Sequence, residues 1–424
     1  MSELALLSGD EVLLHRVEEV AARFDGSFQL SRVTSWERVP KYLSFEFPHV
    51  TIVNVDEPGV NGYAVLAEMK RDPWLHSGAL IIVHQSSEET VAALAARGLN
   101  LVALIPYDLV GSYLPRALRI LHANQQILYQ RDIHLLLRAH HSGSFVLDND
   151  PFDLVTYSRL LANFLFNTNL IGDEQRDRFH VALLELLVNA VEHGNCGITY
   201  EEKSRYLEEH GDSLELIRRR SRDPAVAARR VYLSYRISPE RTRVTIRDDG
   251  AGFDWRSYRT ARGEDGLGES HGRGILMAGA YIDELAYNDA GNEVTMTIVH
   301  GPSEDPVLPR PFSSVEEVRV GAGDRIITEG EASTHLYYIV SGRYDVSVGG
   351  RRVSTLTPSD VFVGEMSFLL NNRRSATVTA TGDGLLLRID KEQFLQAVRD
   401  NPHYGVILAR LLASRLVALH HLPD

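Results

Sequence analysis

The stretch 179–195, FHVALLELLVNAVEHGN, most restricts what this chain can fold into. Nearly every position between 182 and 191 is apolar, yet Glu185, Asn189 and the pair Glu192/His193 interrupt the run at helical spacing and share one helix face. A narrow polar stripe thus crosses a buried helix. Burying a carboxylate and a carboxamide costs several kcal/mol unless something pairs with them, so the stripe calls for a neighbouring domain or a polar ligand above it. A hydrated Mg²⁺ carrying phosphates meets that need, because it takes oxygen ligands, keeps waters and accepts one or two protein groups plus phosphate. An Asn oxygen suits the ion, and a Glu one turn away can hold or deprotonate a water or hydroxyl. An ordinary amphipathic helix showing Glu and Asn to solvent has the same local pattern. The downstream sequence separates the two.

There, VTIRDDGAGFDW at 244–255 reads as a strand over 244–247 followed by a turn of Asp248, Gly250 and Gly252, where backbone can approach a ligand closely. A carboxylate accepting from an exocyclic amine is the simplest reader of adenine. Next, GLGESHGRGILMAGAYIDEL carries Gly266, Gly268, Gly272 and Gly274 ahead of an expected helix at 275–281, so free backbone N–H groups meet phosphate at a helix N-terminus. Gly291-Asn292 and the alternating run 294–299 close the segment with a strand. One such motif is weak evidence, since glycine turns before helices are common.

In order and spacing, Glu185…Asn189, Asp248-x-Gly250-x-Gly252, Gly272-x-Gly274 and Gly291-Asn292 resemble the boxes of the GHKL ATPase superfamily. Within it, ELLVNAVEHGN and HGRGILMA look most like the anti-sigma-factor serine kinases. The resemblance implies an α/β sandwich, helices on one face of a mixed sheet, with ATP between the first box and the glycine loop. Carried over residue by residue, Asn189 would bind Mg²⁺ and Glu185 would be the general base. Asp248 would read adenine, Gly250, Gly252, Gly272 and Gly274 would frame the nucleotide, and Arg273 would touch phosphate or remain a surface charge. A sensor histidine kinase is the competing family, but His134, His140 and His141 lack the H-E/D-x-R/K-x-P setting it uses. The segment 199–230, with RRRSR at 218–222, lies beyond the minimal fold and reads as a charged, solvated helical face.

A chain of 424 residues exceeds one ordinary core, so several domains are expected. We expect boundaries at 1–124, 125–142, 143–303 and 315–424. In the first, apolar runs 4–7, 49–55 and 79–83 alternate with helical patterns 11–24 and 63–70, implying a parallel sheet covered on both faces. PHVTIVNVDEPGVNGYAVLAEMK resembles bacterial receiver domains. The family's phospho-acceptor position is Asn54, its acidic pair is Ser8-Gly9, its switch hydroxyl is His84 and its lysine is Ile105. Asn54 cannot form an acyl phosphate, and no Mg²⁺ oxygens remain unless Asp10 or Asp56 substitutes, so a pseudo-receiver used for docking or dimerisation is expected. The stripe Leu114, Leu118, Leu121, Leu128, Leu135 reads as a signalling helix whose seam favours a homodimer over packing on its own domain.

After a proline-rich linker at 302–311, short strands with turn punctuation indicate a β-roll, with helical patterns at 391–399 and 403–422 closing it. The run resembles cyclic-nucleotide-binding domains: Ala322-Gly323-Asp324, Ile327-x-Glu329-Gly330, Tyr338-Ile339-x-x-Gly342 and VGEMSFLLNNRRSATVTA. There Gly364, Glu365 and the following amides would meet a ribose hydroxyl, and Arg374 with Ser375 and Ala376 would receive the phosphate of cAMP or cGMP. A structural Glu365–Arg374 ion pair is the alternative. The expected fold class is therefore multidomain α/β and α+β: a receiver-like doubly wound sheet, a GHKL α/β sandwich and a C-terminal β-roll with helices.

A formal net charge of −13 argues against a protein that coats nucleic acid or anionic membrane. A single cysteine, Cys196, fits a reducing compartment, and no export signal or long apolar span is present, so a cytoplasmic location is expected. The leading expectation is an ATP- and Mg²⁺-dependent protein serine/threonine kinase acting on an anti-sigma-factor antagonist, with cyclic nucleotide as allosteric input. A nucleotide-gated protein that sequesters a partner such as a sigma factor is the alternative. A catabolite-activator-like transcription factor is not expected, because the pattern leaves no helix-turn-helix after the helix at 403–422.

Overall fold

The computed structural model describes residues 2–57, 59–71, 78–85, 99–124, 141–168, 170–210, 213–238, 240–253, 255, 282–300, 310–312, 314–332, 334–370, 372–402, 404–406, 408–409 and 412. They divide between two units, one of residues 1–137, 163–173 and 302–424, the other of residues 138–162 and 174–301.

In the first unit, strands β1 (Ser2–Leu7), β2 (Phe28–Val33), β3 (Val50–Asn54), β4 (Ala79–His84) and β5 (Leu101–Pro106) form a sheet of order β2-β1-β3-β4-β5. All its pairings are parallel, the order of doubly wound sheets. Burial on both faces explains the unbroken apolar runs, since β3 and β4 are buried at every position. Helix α1 (Glu11–Ala22) starts where the Asp10 carboxylate accepts from the amides of Val12 and Leu13. Helices α2 (Val39–Glu46) and α3 (Gly62–Arg71) follow.

Helix α4 (Val110–Ala123) corrects one expectation. Leu114, Leu118 and Leu121 are fully buried, so this half of the leucine stripe is core rather than a dimer seam. Leu128 and Leu135 lie outside the described residues, as do His134 and His140, and His141 already begins a strand.

The C-terminal part of this unit is a roll of two four-stranded antiparallel sheets, β11-β18-β13-β16 and β12-β17-β14-β15. The strands are β11 (Glu316–Val320), β12 (Arg325–Ile327), β13 (His335–Ser341), β14 (Tyr344–Val348), β15 (Arg351–Leu356), β16 (Phe362–Val363), β17 (Thr377–Ala380) and β18 (Gly384–Asp390). Asp390 and Gln393 form a capping box for the helix Lys391–Asp400. Beyond it, Tyr404 and Leu408 join a core with Phe312, Leu336, Tyr338, Phe362 and Phe394, to which Phe47 also belongs.

The second unit has strands β6 (His141–Leu147), β7 (Val231–Ile237), β8 (Arg241–Asp248), β9 (Glu284–Tyr287) and β10 (Glu293–Val299), in the order β6-β7-β8-β10-β9. Every described pairing is antiparallel, so the expected mixed sheet is not what forms. The sheet also begins at His141, inside the stretch expected to be a linker helix, with His141 opposite Ile237. Helices α5 (Pro151–Asn167) and α6 (Asp173–Asn189) follow β6, with residues 163–173 at the end of α5 and start of α6 belonging to the first unit. On α6 the apolar stripe Phe179, Ala182, Leu183, Leu186, Leu187 is buried at helical spacing.

Candidate functional site

Strand period and helix period bring the first site together. Along β8, Thr242, Val244, Ile246 and Asp248 are buried in alternation, so the same period that fills the core turns the Asp248 carboxylate inward at the strand's end. Asp248 is 8% exposed. Burial pushes its pKa up to about 6, against the lowering effect of the Gly250 N–H, which donates to Oδ1 at 2.8 Å. The backbone closes tightly around it. A Cβ at Gly194 would overlap the Asp248 carboxylate, and one at Gly250 would overlap the Gly194 carbonyl. Gly252 and Gly291 both have φ of +76°, and a Cβ on either would run into the other's turn, at Ala290 O or Phe253 O.

On α6, Glu185 and Asn189 lie one turn apart and are both half-buried. The Asn189 Nδ2 is buried with no hydrogen-bond partner. A half turn of the amide exchanges Oδ1 and Nδ2, so the side chain can offer an oxygen at the same place. After Asn189 the helix widens into a π-turn, Ala190–Asn195, with Cys196 N donating to Val191 O at 2.8 Å. Such widened turns concentrate at functional sites. The extra residue carries Glu192 off the expected stripe: it is 1% exposed and pairs with Lys203 at 2.5 Å.

Sequence reasoning gave Asn195 no role, yet it is fully buried and ties the helix to the sheet. Its Nδ2 donates to Asn149 Oδ1 at 2.8 Å, and its Oδ1 accepts from Asp249 N at 2.9 Å. Asn288 was missed as well. Its Oδ1 accepts from Gly291 N at 2.7 Å and its carbonyl from Trp255 Nε1 at 2.8 Å, fastening the last turn beside the Asp248 loop. Gly194 next to Asn195, and Gly291 three residues after Asn288, are the signals, because a carboxamide near a glycine turn can satisfy amides that a helix or strand leaves open. Gly266, Gly268, Gly272, Arg273, Gly274 and the helix expected at 275–281 lie outside the described residues.

The second site is in the roll. Gly364 has φ of +83°, and a Cβ there would overlap the Arg374 guanidinium. Arg374 is 7% exposed, and its NH1 donates to Gly364 O at 3.0 Å and Ser367 Oγ at 3.1 Å, its NH2 to His335 O. Burial lowers its pKa from the ordinary value. A desolvated guanidinium bonded to neutral oxygens retains an unspent affinity for an anion. Its backbone is fixed on both sides: Arg374 N donates to Glu331 O at 2.8 Å, and Gly330 N to Arg374 O at 2.9 Å. Glu365 is 6% exposed at the start of the short helix Glu365–Leu369, Ser375 is exposed and Ala376 half-buried. The structure therefore brings Gly364 and Ser367 to the Arg374 guanidinium, with Glu365 buried between them in sequence.

At the carboxyl ends of the parallel strands, Ser8, Asn54 and His84 are buried. Asp10 is committed to α1 and to the Tyr107 hydroxyl at 2.5 Å; burial raises its pKa, but these hydrogen bonds outweigh it and the net shift is downward. Asp56 accepts from Gln85 N at 2.5 Å. Arg32 donates to Ser8 O at 3.1 Å and Gly9 O at 2.7 Å. No group of three or more His, Cys, Asp or Glu suited to a metal occurs among the described residues, and none of their helices is long and apolar enough to cross a membrane.

Comparison with known proteins supports two of the three resemblances. Residues 147–298 match the family described as histidine kinase-like ATPase domain, and residues 317–401 match the cyclic nucleotide-binding domain. Among similar proteins, a cGMP-dependent protein kinase of Plasmodium berghei is 37% identical over 73 residues, 17% of this chain and 8% of that protein. The Pycsar effector protein XpPycTIR of Xanthomonas perforans is 30% identical over 108 residues, 25% of this chain and 35% of that protein. The cyclic AMP receptor protein of Thermus thermophilus is 36% identical over 99 residues, 22% of this chain and 45% of that protein. The chain spans less than half the length of each of these relatives.

Proposed function

We propose that this chain is an ATP-dependent protein serine/threonine kinase of the anti-sigma-factor type, controlled by cAMP or cGMP bound to its C-terminal roll. The observation that carries the first half is a buried, unpartnered Asn189 Nδ2 together with an Asp248 carboxylate held in a glycine-only cradle. Both groups carry a desolvation cost that a nucleotide and its metal would relieve. The residues present therefore fit Mg²⁺·ATP: Asn189 toward the metal, Asp248 toward adenine, and Gly250 and Gly252 framing the nucleotide. When bound, Mg²⁺ supplies charge neutralisation at the phosphates. Glu185, one turn before Asn189, takes the proton of an incoming hydroxyl. The substrate in this reading is a hydroxyl on an anti-sigma-factor antagonist, with the N-terminal sheet acting as a receiver-like docking domain that is not itself phosphorylated.

The reading separates into binding and transfer. Asn189→Ala removes a metal ligand and is expected to abolish Mg²⁺·ATP binding, whereas Glu185→Ala is expected to bind but lose transfer. Titration with a fluorescent ATP analogue and transfer of labelled phosphate to a candidate antagonist measure the two. Unchanged affinity in Asn189→Ala would refute the metal role. ATP binding by the wild type with no transfer to any serine or threonine would favour a nucleotide-gated binding protein.

A further inference from the structure

A carboxylate on an apolar helix needs a cation, and Glu192 gets one from sequence that the nucleotide fold does not require. Lys203 sits on helix α7 (Tyr200–His210), the first of the inserted helices, and its Nζ lies 2.5 Å from Glu192 Oε2. Lys203 is 28% exposed and Glu192 1%, so the pair is sheltered from solvent on the side of the π-turn. Glu202, its neighbour on α7, accepts from Arg220 at 2.5 and 2.7 Å, which joins α7 to helix α8 (Ser213–Arg220). At the far end of the insertion, Arg229 NH1 donates to Asn195 O at 2.6 Å. Both ends of the segment 199–230 are thus fastened to the turn 190–195, the first to Glu192 and the last to Asn195. Asn195 in turn holds Asp249 N, beside Asp248.

We propose that Lys203 is a positioning residue of the nucleotide site and that the insertion is a brace rather than a solvated face. Its ion pair with Glu192 holds the π-turn in the register that sets Asn189 and Asn195 against the Asp248 loop. This rests on reading that site as one for nucleotide. Without Lys203 a carboxylate is left buried and uncompensated three residues from Asn189, and the turn has reason to rewind and carry Glu192 toward water. Such a shift also moves Asn195, and with it the loop that carries Asp248. The neutral pair of Met and Gln removes the strain that either single change creates, so a double substitution should recover what Lys203→Met loses.

The test uses the full chain and a fluorescent ADP analogue with Mg²⁺. Lys203→Met is expected to weaken binding at least about tenfold, while a circular dichroism spectrum matching wild type reports a folded chain. Lys203→Arg keeps the cation and should bind within about threefold of wild type. Lys203→Met with Glu192→Gln should return most of the lost affinity. Unaltered binding in Lys203→Met overturns the proposal, and so does a loss that persists in the double variant, which would put Lys203 directly on the ligand. If Lys203→Met does not fold, the double variant decides alone. Wild type that binds no nucleotide overturns the nucleotide reading itself, a result distinct from wild type that binds and a variant that binds equally well.

Discussion

Gly194 lies against Asp248 so closely that no side chain fits between the π-turn after α6 and the carboxylate at the end of β8. Asp248 is 8% exposed, and this burial pushes its pKa up to about 6.

The first prediction is a pH dependence of nucleotide affinity. An exocyclic amine needs the ionised carboxylate, and with a pKa of about 6 the ionised fraction falls about tenfold between pH 7 and pH 5. Affinity for an adenine nucleotide is expected to fall by about that factor over this interval. Asp248→Asn should bind weakly at both values. For stability the sign is reversed. A carboxyl raised above its unfolded value destabilises the fold as pH rises past 3.8, and the penalty reaches its full size above about 6. Asp248→Asn should therefore raise the unfolding free energy at pH 7, by up to about 3 kcal/mol. Binding titrations and denaturant unfolding at pH 5, 6 and 7 check both signs, and equal affinity at pH 5 and 7 counts against Asp248 as the adenine reader.

A second prediction concerns the two turns that meet beside Asp248. Gly252→Ala places a methyl group on Ala290 O at a φ of +76°, where both overlap and backbone strain oppose it. A loss of about 2 to 4 kcal/mol in the second unit is expected, read from denaturant unfolding. Gly197→Ala is the control. Its φ is +62° but nothing lies within 4 Å of a Cβ, so the loss there should be about 1 kcal/mol.

How much of this was legible in the sequence follows from which effects are local. The alternation of β8, the apolar stripe of α6 and the glycines at 250, 252 and 291 are short-range patterns, and the structure keeps them. Glu192 was misplaced because helical periodicity assumes 3.6 residues per turn, and the π-turn breaks that count where the stripe should continue. Its partner Lys203 and the clamp of Asn195 on Asp249 depend on contacts 11 and 54 residues distant, which no local pattern encodes. The antiparallel pairing of the second sheet is equally a matter of non-local register. Leu114, Leu118 and Leu121 looked like a dimer seam because a core-facing stripe and a coiled-coil seam share one spacing.

A third prediction tests the N-terminal sheet. Treatment of the full chain with a small acyl-phosphate donor and Mg²⁺ should leave residues 1–124 without a phosphoryl adduct. Asp10 is held by the amides of Val12 and Leu13 and by Tyr107, and Asp56 by Gln85 N, so neither carboxylate stands ready as a nucleophile. Arg32 donates to the two carbonyls where the receiver family would hold its metal. An adduct mapped by mass spectrometry to Asp56 would defeat the pseudo-receiver reading.

The last prediction joins the roll to the nucleotide site. Arg374 is buried, bonded to three neutral oxygens, and locked by Gly330 and Glu331, so an arriving phosphate replaces no carboxylate among those bonds. Arg374→Ala in the full chain should weaken cAMP or cGMP binding at least about tenfold, through loss of a charge-assisted pair. Arg374→Lys should recover little of it, because an ammonium cannot reproduce the fork that reaches Gly364, Ser367 and His335 together. If the ligand controls the ATP site, linkage requires it to bind two states of the chain with different affinity, and a coupling of roughly 1–3 kcal/mol, about 5–150-fold in nucleotide affinity, is the expected size. Tyr404 and Leu408 place the start of the C-terminal helix in the core that also holds Phe362 and Phe368, at either end of the Gly364-Glu365 segment. A change at Gly364 on ligand binding thus has a packed route to that helix. Calorimetry of cyclic nucleotide binding, repeated with saturating Mg²⁺·ADP, measures the coupling in the reciprocal direction. Tight cyclic nucleotide binding with no change in ADP affinity would leave the phosphate site intact and remove the allosteric control.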